Sequence, residues 1–169
     1  MATYTPQDLD FADTAPVRIE AVDVIDGTPD EVWAVILDYP GWTEWFASLT
    51  SCRATSEPAT GVGSTREVKL AGGVAFHERF IAWDEPNLWA FTGIEGPPIF
   101  EGLVERVTLR EVAPGRTQVS YRMAIAPKRG LSLVVKVATR GIQKNLSKAL
   151  RALDGVVADR RTAAGGGAG

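Results

Sequence analysis

The chain has 169 residues, 45% of them hydrophobic and 23% charged, which is the length and composition of one domain with a sizeable core. Its net charge of −3 argues against nucleic acid as a partner, and no apolar run of about 18 residues marks a transmembrane segment. A single cysteine, Cys52, excludes an internal disulfide, and a single histidine, His77, excludes a metal site built on two imidazoles.

Residues 1–16 are polar, acidic and carry Pro6 and Pro16. They lack the basic-then-apolar pattern of a secretory signal and are expected to be ordered only in part. VRIEAVDVI (17–25) alternates and is β-branched, which predicts a strand. Thr28-Pro29-Asp30-Glu31 then starts a helix: Thr28 can cap, Pro29 suits the first helical position and Glu31 completes a capping box. EVWAVILDY is short because Pro40 forces Tyr39 out of helical geometry. GWTEWFASL predicts a second short helix.

Six strand signals follow in a row: 49–57, 64–71, 74–83, 88–95, 102–112 and 116–126. Gly72-Gly73 predicts a tight hairpin, and Pro114-Gly115 suits a type II turn. After Pro127 a long amphipathic helix runs to about Arg160. Its predicted apolar stripe is Val134, Val137, Ala138, Gly141, Ile142, Leu146, Ala149, Leu150, Leu153 and Val157. Asn145 interrupts that stripe, either as a boundary residue or as a polar group aimed into a cavity. Residues 161–169 read as a flexible Gly/Ala tail. The predicted class is therefore α+β: six to seven antiparallel strands curled around one long helix, with two short helices after the first strand. A sheet wrapped on a helix leaves a hole between them, and that hole is the expected ligand site.

Charge is distributed unevenly. Residues 1–45 carry 10 acids and one base, whereas residues 116–161 carry 11 bases and two acids. Either the two ends lie together and neutralise, or a basic face on the last helix (Lys136, Arg140, Lys144, Lys148) meets an acidic partner or membrane surface. We expect the first. There is no Walker loop, no dinucleotide-binding glycine motif after a strand, no nucleophile elbow and no metal-spaced cluster, so neither a cofactor nor a metal is expected. The lone cysteine fits a reducing cytoplasm.

The capped TPDEVW helix, the aromatic run at Asp38, Pro40, Trp42 and Trp45, the G-x-G at Gly61 and Gly63, and W-D-x-P at Trp83, Asp84 and Pro86 resemble the START-like (SRPBCC) superfamily, in its polyketide cyclase/dehydrase-like branch. The resemblance spans roughly residues 17–160. It implies a helix-grip fold with an elongated hydrophobic pocket between sheet and last helix, serving lipid carriers and cyclases alike.

Strand alternation predicts the inward faces. They are Arg66, Val68 and Leu70; Val74, Phe76, Glu78, Phe80 and Ala82; Leu103, Glu105, Val107 and Leu109; and Val119, Tyr121, Met123 and Ile125. Arg66, Glu78, Glu105 and Tyr121 are thus the polar groups among apolar ones, and the candidate catalytic set. A desolvated carboxyl can donate a proton, or one held ionised by arginine can accept one, while Arg66 or Tyr121 polarises a carbonyl. The structural alternative, which we favour, is a satisfied arginine–carboxylate bridge. Candidate ligand-binding residues are Phe76, Phe80, Trp45, Trp89, Phe91, Val107, Met123, Val137 and Ile142. His77 is expected at the surface or rim, Cys52 as an inert thiol, and the Gly96–Phe100 loop as a hairpin loop or a cavity gate.

The function expected is binding of a hydrophobic small molecule, such as a lipid or polyketide, by a monomer or homodimer. One alternative is a polyketide cyclase or dehydratase using those four residues; Glu78→Gln and Glu105→Gln would leave a carrier's affinity nearly intact but abolish an enzyme's turnover. Another is a regulatory or toxin-like interaction protein using the basic ridge.

Overall fold

Thr28 opens the longer of the two short helices as its sequence predicts. Its side chain accepts the Glu31 N–H, and the Glu31 carboxylate accepts the Thr28 N–H at 2.8 Å. The computed structural model describes residues 1–166. Strands are β1 (Ala2–Thr3), β2 (Val17–Ile25), β3 (Leu49–Ala54), β4 (Thr65–Leu70), β5 (Ala75–Asp84), β6 (Leu88–Gly96), β7 (Phe100–Ala113) and β8 (Arg116–Pro127). Helices are α1 (Phe11–Thr14), α2 (Pro29–Leu37), α3 (Trp42–Trp45) and α4 (Ser132–Gly166).

The main sheet is antiparallel in the order β2-β8-β7-β6-β5-β4-β3, and α2 and α3 join its two outer strands. Gly72 and Gly73 both turn with positive φ, 87° and 79°, which only glycine adopts readily. The sheet curves around α4, which packs against β2, α2, α3 and β8. This is the helix-grip arrangement.

The apolar stripe of α4 needs correction. Val135, Leu146, Ala149, Leu150, Leu153 and Val157 are buried, whereas Val134 and Val137 face solvent. Seven residues back from Ile142, two helical turns, lies Val135, so the true stripe passes through it and leaves Val137 on the opposite side. The helix also runs to Gly166 rather than ending near Arg160. Arg161 is held by Glu31 at 2.9 Å and by the Asp26 carbonyl at 2.7 Å, and Ala163 and Ala164 are strong helix formers. The remainder of the expected flexible tail, 167–169, lies outside the described residues.

Residues 1–16 pack into the fold through β1, Tyr4, Thr5 and α1. The register of β6 with β7 runs from Leu88↔Thr108 to Thr92↔Val104, and beyond it β1 pairs with Gly96 and Glu95. Tyr4 N–H donates to Ile94 O and Thr5 N–H to Glu101 O, at 2.9 and 2.8 Å, so the segment wedges where the two strands part. Outside the sheet, Ala12 and Ala15 bury against Val104 and Ala124, and Asp13 pairs with Arg106 and Arg122. Composition hid this because the anchors are few and their partners lie far along the chain.

Gly96 is the tight point of the wedge. A Cβ there would overlap the Tyr4 hydroxyl and come within 2.9 Å of Phe76. Gly96→Ala is expected to cost about 1–3 kcal/mol in urea unfolding and to expose residues 1–16 to protease. A variant as stable and as resistant as the parent would show that the wedge yields freely.

Candidate functional site

Arg66 on β4 and Glu78 on β5 are direct cross-strand partners, and alternation turns both inward. Arg66 Nε donates to Glu78 Oε2 at 2.6 Å, with both side chains nearly excluded from solvent. Across β6, on the β7–β8 pair, Tyr121 of β8 lies opposite Val107, diagonal to Glu105 of β7, and its hydroxyl donates to Glu105 Oε2. These two hydrogen-bonded pairs line one cavity of about 450 Å³, within the range of small-molecule sites.

The cavity wall is otherwise mostly apolar. Leu49, Val68 and Leu70 come from β3 and β4, Phe76 from β5, Phe100 and Leu103 from β7, and Met123 from β8. Trp42, Phe46, Ile142 and Leu146 close it from the helical side. Asn145 also reaches it and donates to Ser48 Oγ at 2.9 Å, so the interruption in the α4 stripe is a cavity polar group.

Three of the predicted ligand-binding residues, Phe76, Met123 and Ile142, are in this wall. Val137 is exposed on the far face of α4. Trp45 borders a separate small cavity of about 100 Å³ near Glu44 and Ala47. Phe80, Trp89 and Phe91 lie behind the wall, where their rings surround the Arg66 guanidinium at 5.4, 5.2 and 4.7 Å. Trp42 stacks closest to that group, at 4.3 Å. These aromatics are therefore occupied by a cation of the protein itself. Val107 is buried in the core without reaching the cavity. Val68, Leu70 and Leu103, left out of the predicted ligand set, share the inward alternation of Arg66 and Glu105; that signal was present in the sequence.

Trp83, placed by simple alternation on the outer face, packs inward. An irregularity in β5 between Phe80 and Ala82 resets the alternation, and Trp83 meets Trp33 and Phe80 at 5.6 and 5.0 Å. His77 is outside the cavity wall, 3.5 Å from Glu67. Cys52 is buried, and burial pushes its thiol up to about 11, which suppresses thiolate chemistry.

The electrostatics divide the four polar groups. Burial pushes the Glu105 carboxyl up to about 8, and the nearby Glu78 charge pushes the same way against Tyr121 and Arg66. Glu105 is thus a neutral acid at pH 7. Burial, and then Glu105, likewise raise the Tyr121 phenol well above its ordinary value. Burial opposes the charge on Arg66 most strongly, but Glu78, Cys52, Tyr121 and the hydrogen bond to Glu78 together outweigh it, so the guanidinium stays charged. Among the described residues Arg66 Nη1 has no hydrogen-bond partner although it is buried, a costly state unless something outside the chain accepts from it.

A curved antiparallel sheet gripping a C-terminal helix around a hydrophobic cavity defines a START-like protein. Residues 16–158 match the family described as polyketide cyclase / dehydrase and lipid transport, and the chain belongs to that family. Among relatives, the uncharacterized protein Rv2574 of Mycobacterium tuberculosis is 28% identical over 116 residues, covering 69% of this chain and 70% of that one. Among solved structures, the Zhui aromatase/cyclase of a Streptomyces species superposes with a TM-score of 0.76 at 18% identity, covering 88% of this chain and 98% of that one. A START superfamily protein from Mycobacterium smegmatis gives a TM-score of 0.69 at 13% identity, covering 84% and 97%. Among the described residues no helix is long and apolar enough to cross a membrane.

Proposed function

We propose that this protein binds a hydrophobic small molecule, a lipid or polyketide, in the cavity between sheet and α4, with a ligand oxygen accepting from Arg66 Nη1. The unpartnered buried donor of Arg66 in a mostly apolar wall carries this reading. A carbonyl or carboxylate would satisfy it, while the alkyl or ring body of the ligand fills the space against Leu70, Leu103 and Met123. The family's description, which spans cyclases and lipid transport, supports the same substrate class.

A second reading is favoured by Glu105. A carboxyl neutral at pH 7, hydrogen-bonded to Tyr121 in the wall of the same cavity as Arg66, has the composition of an acid–base site for cyclisation or dehydration of a poly-β-ketone. Arg66 would stabilise an enolate oxygen and Glu105 would supply a proton to a departing hydroxyl.

Native mass spectrometry of freshly purified protein, followed by identification of what is released on denaturation, tests the binding reading. A retained apolar compound is the expected result. Met123→Trp, which fills the cavity, is expected to abolish retention without unfolding the chain. Retention unchanged in that variant would place the ligand elsewhere. Glu105→Gln then separates the two readings: a carrier keeps its ligand unchanged, whereas a cyclase still binds the substrate and loses turnover.

A further inference from the structure

Several C-terminal bases are neutralised by N-terminal acids: Arg116 by Asp26, Arg122 by Asp13 and Glu20, Arg160 by Asp38, and Arg161 by Glu31. The expected neutralisation stops there. Among the described residues Lys128, Arg129, Lys136, Arg140, Lys144 and Lys148 form no ion pair. No carboxylate occurs between Glu111 and Asp154 in the sequence.

The same surface carries exposed aliphatic side chains. Leu133 and Val137 are 74% exposed and Val134 is 58% exposed. At the α-helical period Leu133, Val137, Arg140, Lys144 and Lys148 share the outward arc of α4, opposite buried Val135 and Leu146. One helix face therefore begins aliphatic and continues basic.

Its position ties it to the cavity. Lys128 N–H donates to Ile99 O at 2.9 Å and Arg129 N–H to Glu101 Oε1 at 3.3 Å, binding the turn before α4 to the β6–β7 loop. Ile99 is 37% exposed and also forms part of the cavity wall, so the wall reaches solvent at this loop. Glu101 lies beside the turn and leaves the bases in excess.

We propose that the first turns of α4, the turn before them and the β6–β7 loop form a docking face for an anionic lipid bilayer. This rests on the reading that the cavity holds a hydrophobic ligand, which docking would bring to the surface that stores it. Leu133, Val134 and Val137 enter the headgroup boundary, and the bases beside and behind them meet anionic headgroups. A soluble acidic protein fits less well. The anchors here are small aliphatics rather than the aromatics that centre protein interfaces. A lipid surface satisfies aliphatics and bases together without shape complementarity.

The test is co-sedimentation of the full chain with phosphatidylcholine vesicles, with and without phosphatidylglycerol. Binding is expected only to the anionic vesicles and is expected to fall at high salt. The variant K136Q/R140Q/K144Q is expected to bind roughly a hundredfold more weakly, at about fivefold per base. Leu133→Ser with Val137→Ser is expected to lose at least ~tenfold. No binding to anionic vesicles, or equal binding to neutral ones, overturns the proposal. So does a loss confined to the base substitutions, which would show that Leu133 and Val137 do not enter the bilayer and that attraction is purely electrostatic. An apolar fluorophore, bound in vesicle-free buffer and displaced by Met123→Trp, reports the cavity separately. A filled cavity without vesicle binding sinks the docking face alone. Vesicle binding with an empty cavity keeps the docking face and sinks the ligand reading.

Discussion

Replacing Arg66 by Met is expected to lower the unfolding free energy by about 3–5 kcal/mol, because it leaves a buried carboxylate without its counter-charge. Methionine keeps much of the arginine's length and apolar contact with the surrounding rings, so the loss isolates the charge. Glu78 sits 2.6 Å from Arg66 with its side chain 5% exposed, too dry for water to replace the guanidinium. Adding Glu78→Gln is expected to recover most of the loss, since a buried ion pair exchanged for neutral groups is often nearly neutral in energy. Urea unfolding of the parent, both single variants and the double variant gives the coupling energy directly. A loss below about 1 kcal/mol in Arg66→Met would mean that the pair is not a desolvated ion pair. Glu78→Gln alone strands the Arg66 charge in a dry site, so a loss of binding in that single variant would not distinguish a carrier from an enzyme. The double variant is the better probe of function: folded but lacking the Nη1 donor, it is expected to lose the ligand.

Glu105 gives the second large effect, a pH dependence of stability. Its folded pKa is raised to about 8 from an ordinary 4.5. Between those values the folded chain holds a proton that the unfolded chain releases. The contribution is therefore fully present below about pH 4.5 and is lost as pH rises towards 8. Glu105→Gln has no such proton and removes the slope. The variant is expected to gain on the order of 4 kcal/mol relative to the parent between acid pH and pH 9. Titrating groups away from the cavity are common to both proteins and cancel in the difference, whereas Glu78 and Tyr121, which interact with Glu105, shift with it. Chemical denaturation of the pair across that range makes the measurement. A flat difference curve would show Glu105 ionising like an exposed glutamate, and the acid–base reading of the cavity would fall with it.

Much of the fold was legible because its signals are local. Thr28, Pro29 and Glu31 specify a helix start through contacts within one turn, and Gly72-Gly73 specifies a hairpin through backbone freedom. The inward face was also legible on β4, β7 and β8, where a two-residue period carries Arg66, Glu105 and Tyr121 to one side. It failed on β5 beyond Phe80, because the irregularity that turns Trp83 inward leaves no mark in composition. On α4 the apolar residues exceed what one face can bury. Val137, expected to meet the ligand, is exposed, and Val135 takes the buried position.

The sequence by itself determined the order of elements, the α+β class and the inward set that holds four polar groups among apolar ones. All of these follow from periodicity and from contacts a few residues apart. Only the tertiary structure decided which groups pair, since Arg66 and Glu78 are 12 residues apart and Tyr121 and Glu105 are 16 apart. It also decided which aromatics face a cavity and which surround a guanidinium, and which of the many C-terminal bases meet an acid from the N-terminal segment. Those outcomes depend on how strands and helix close on one another, and closure distances are not encoded in any local period.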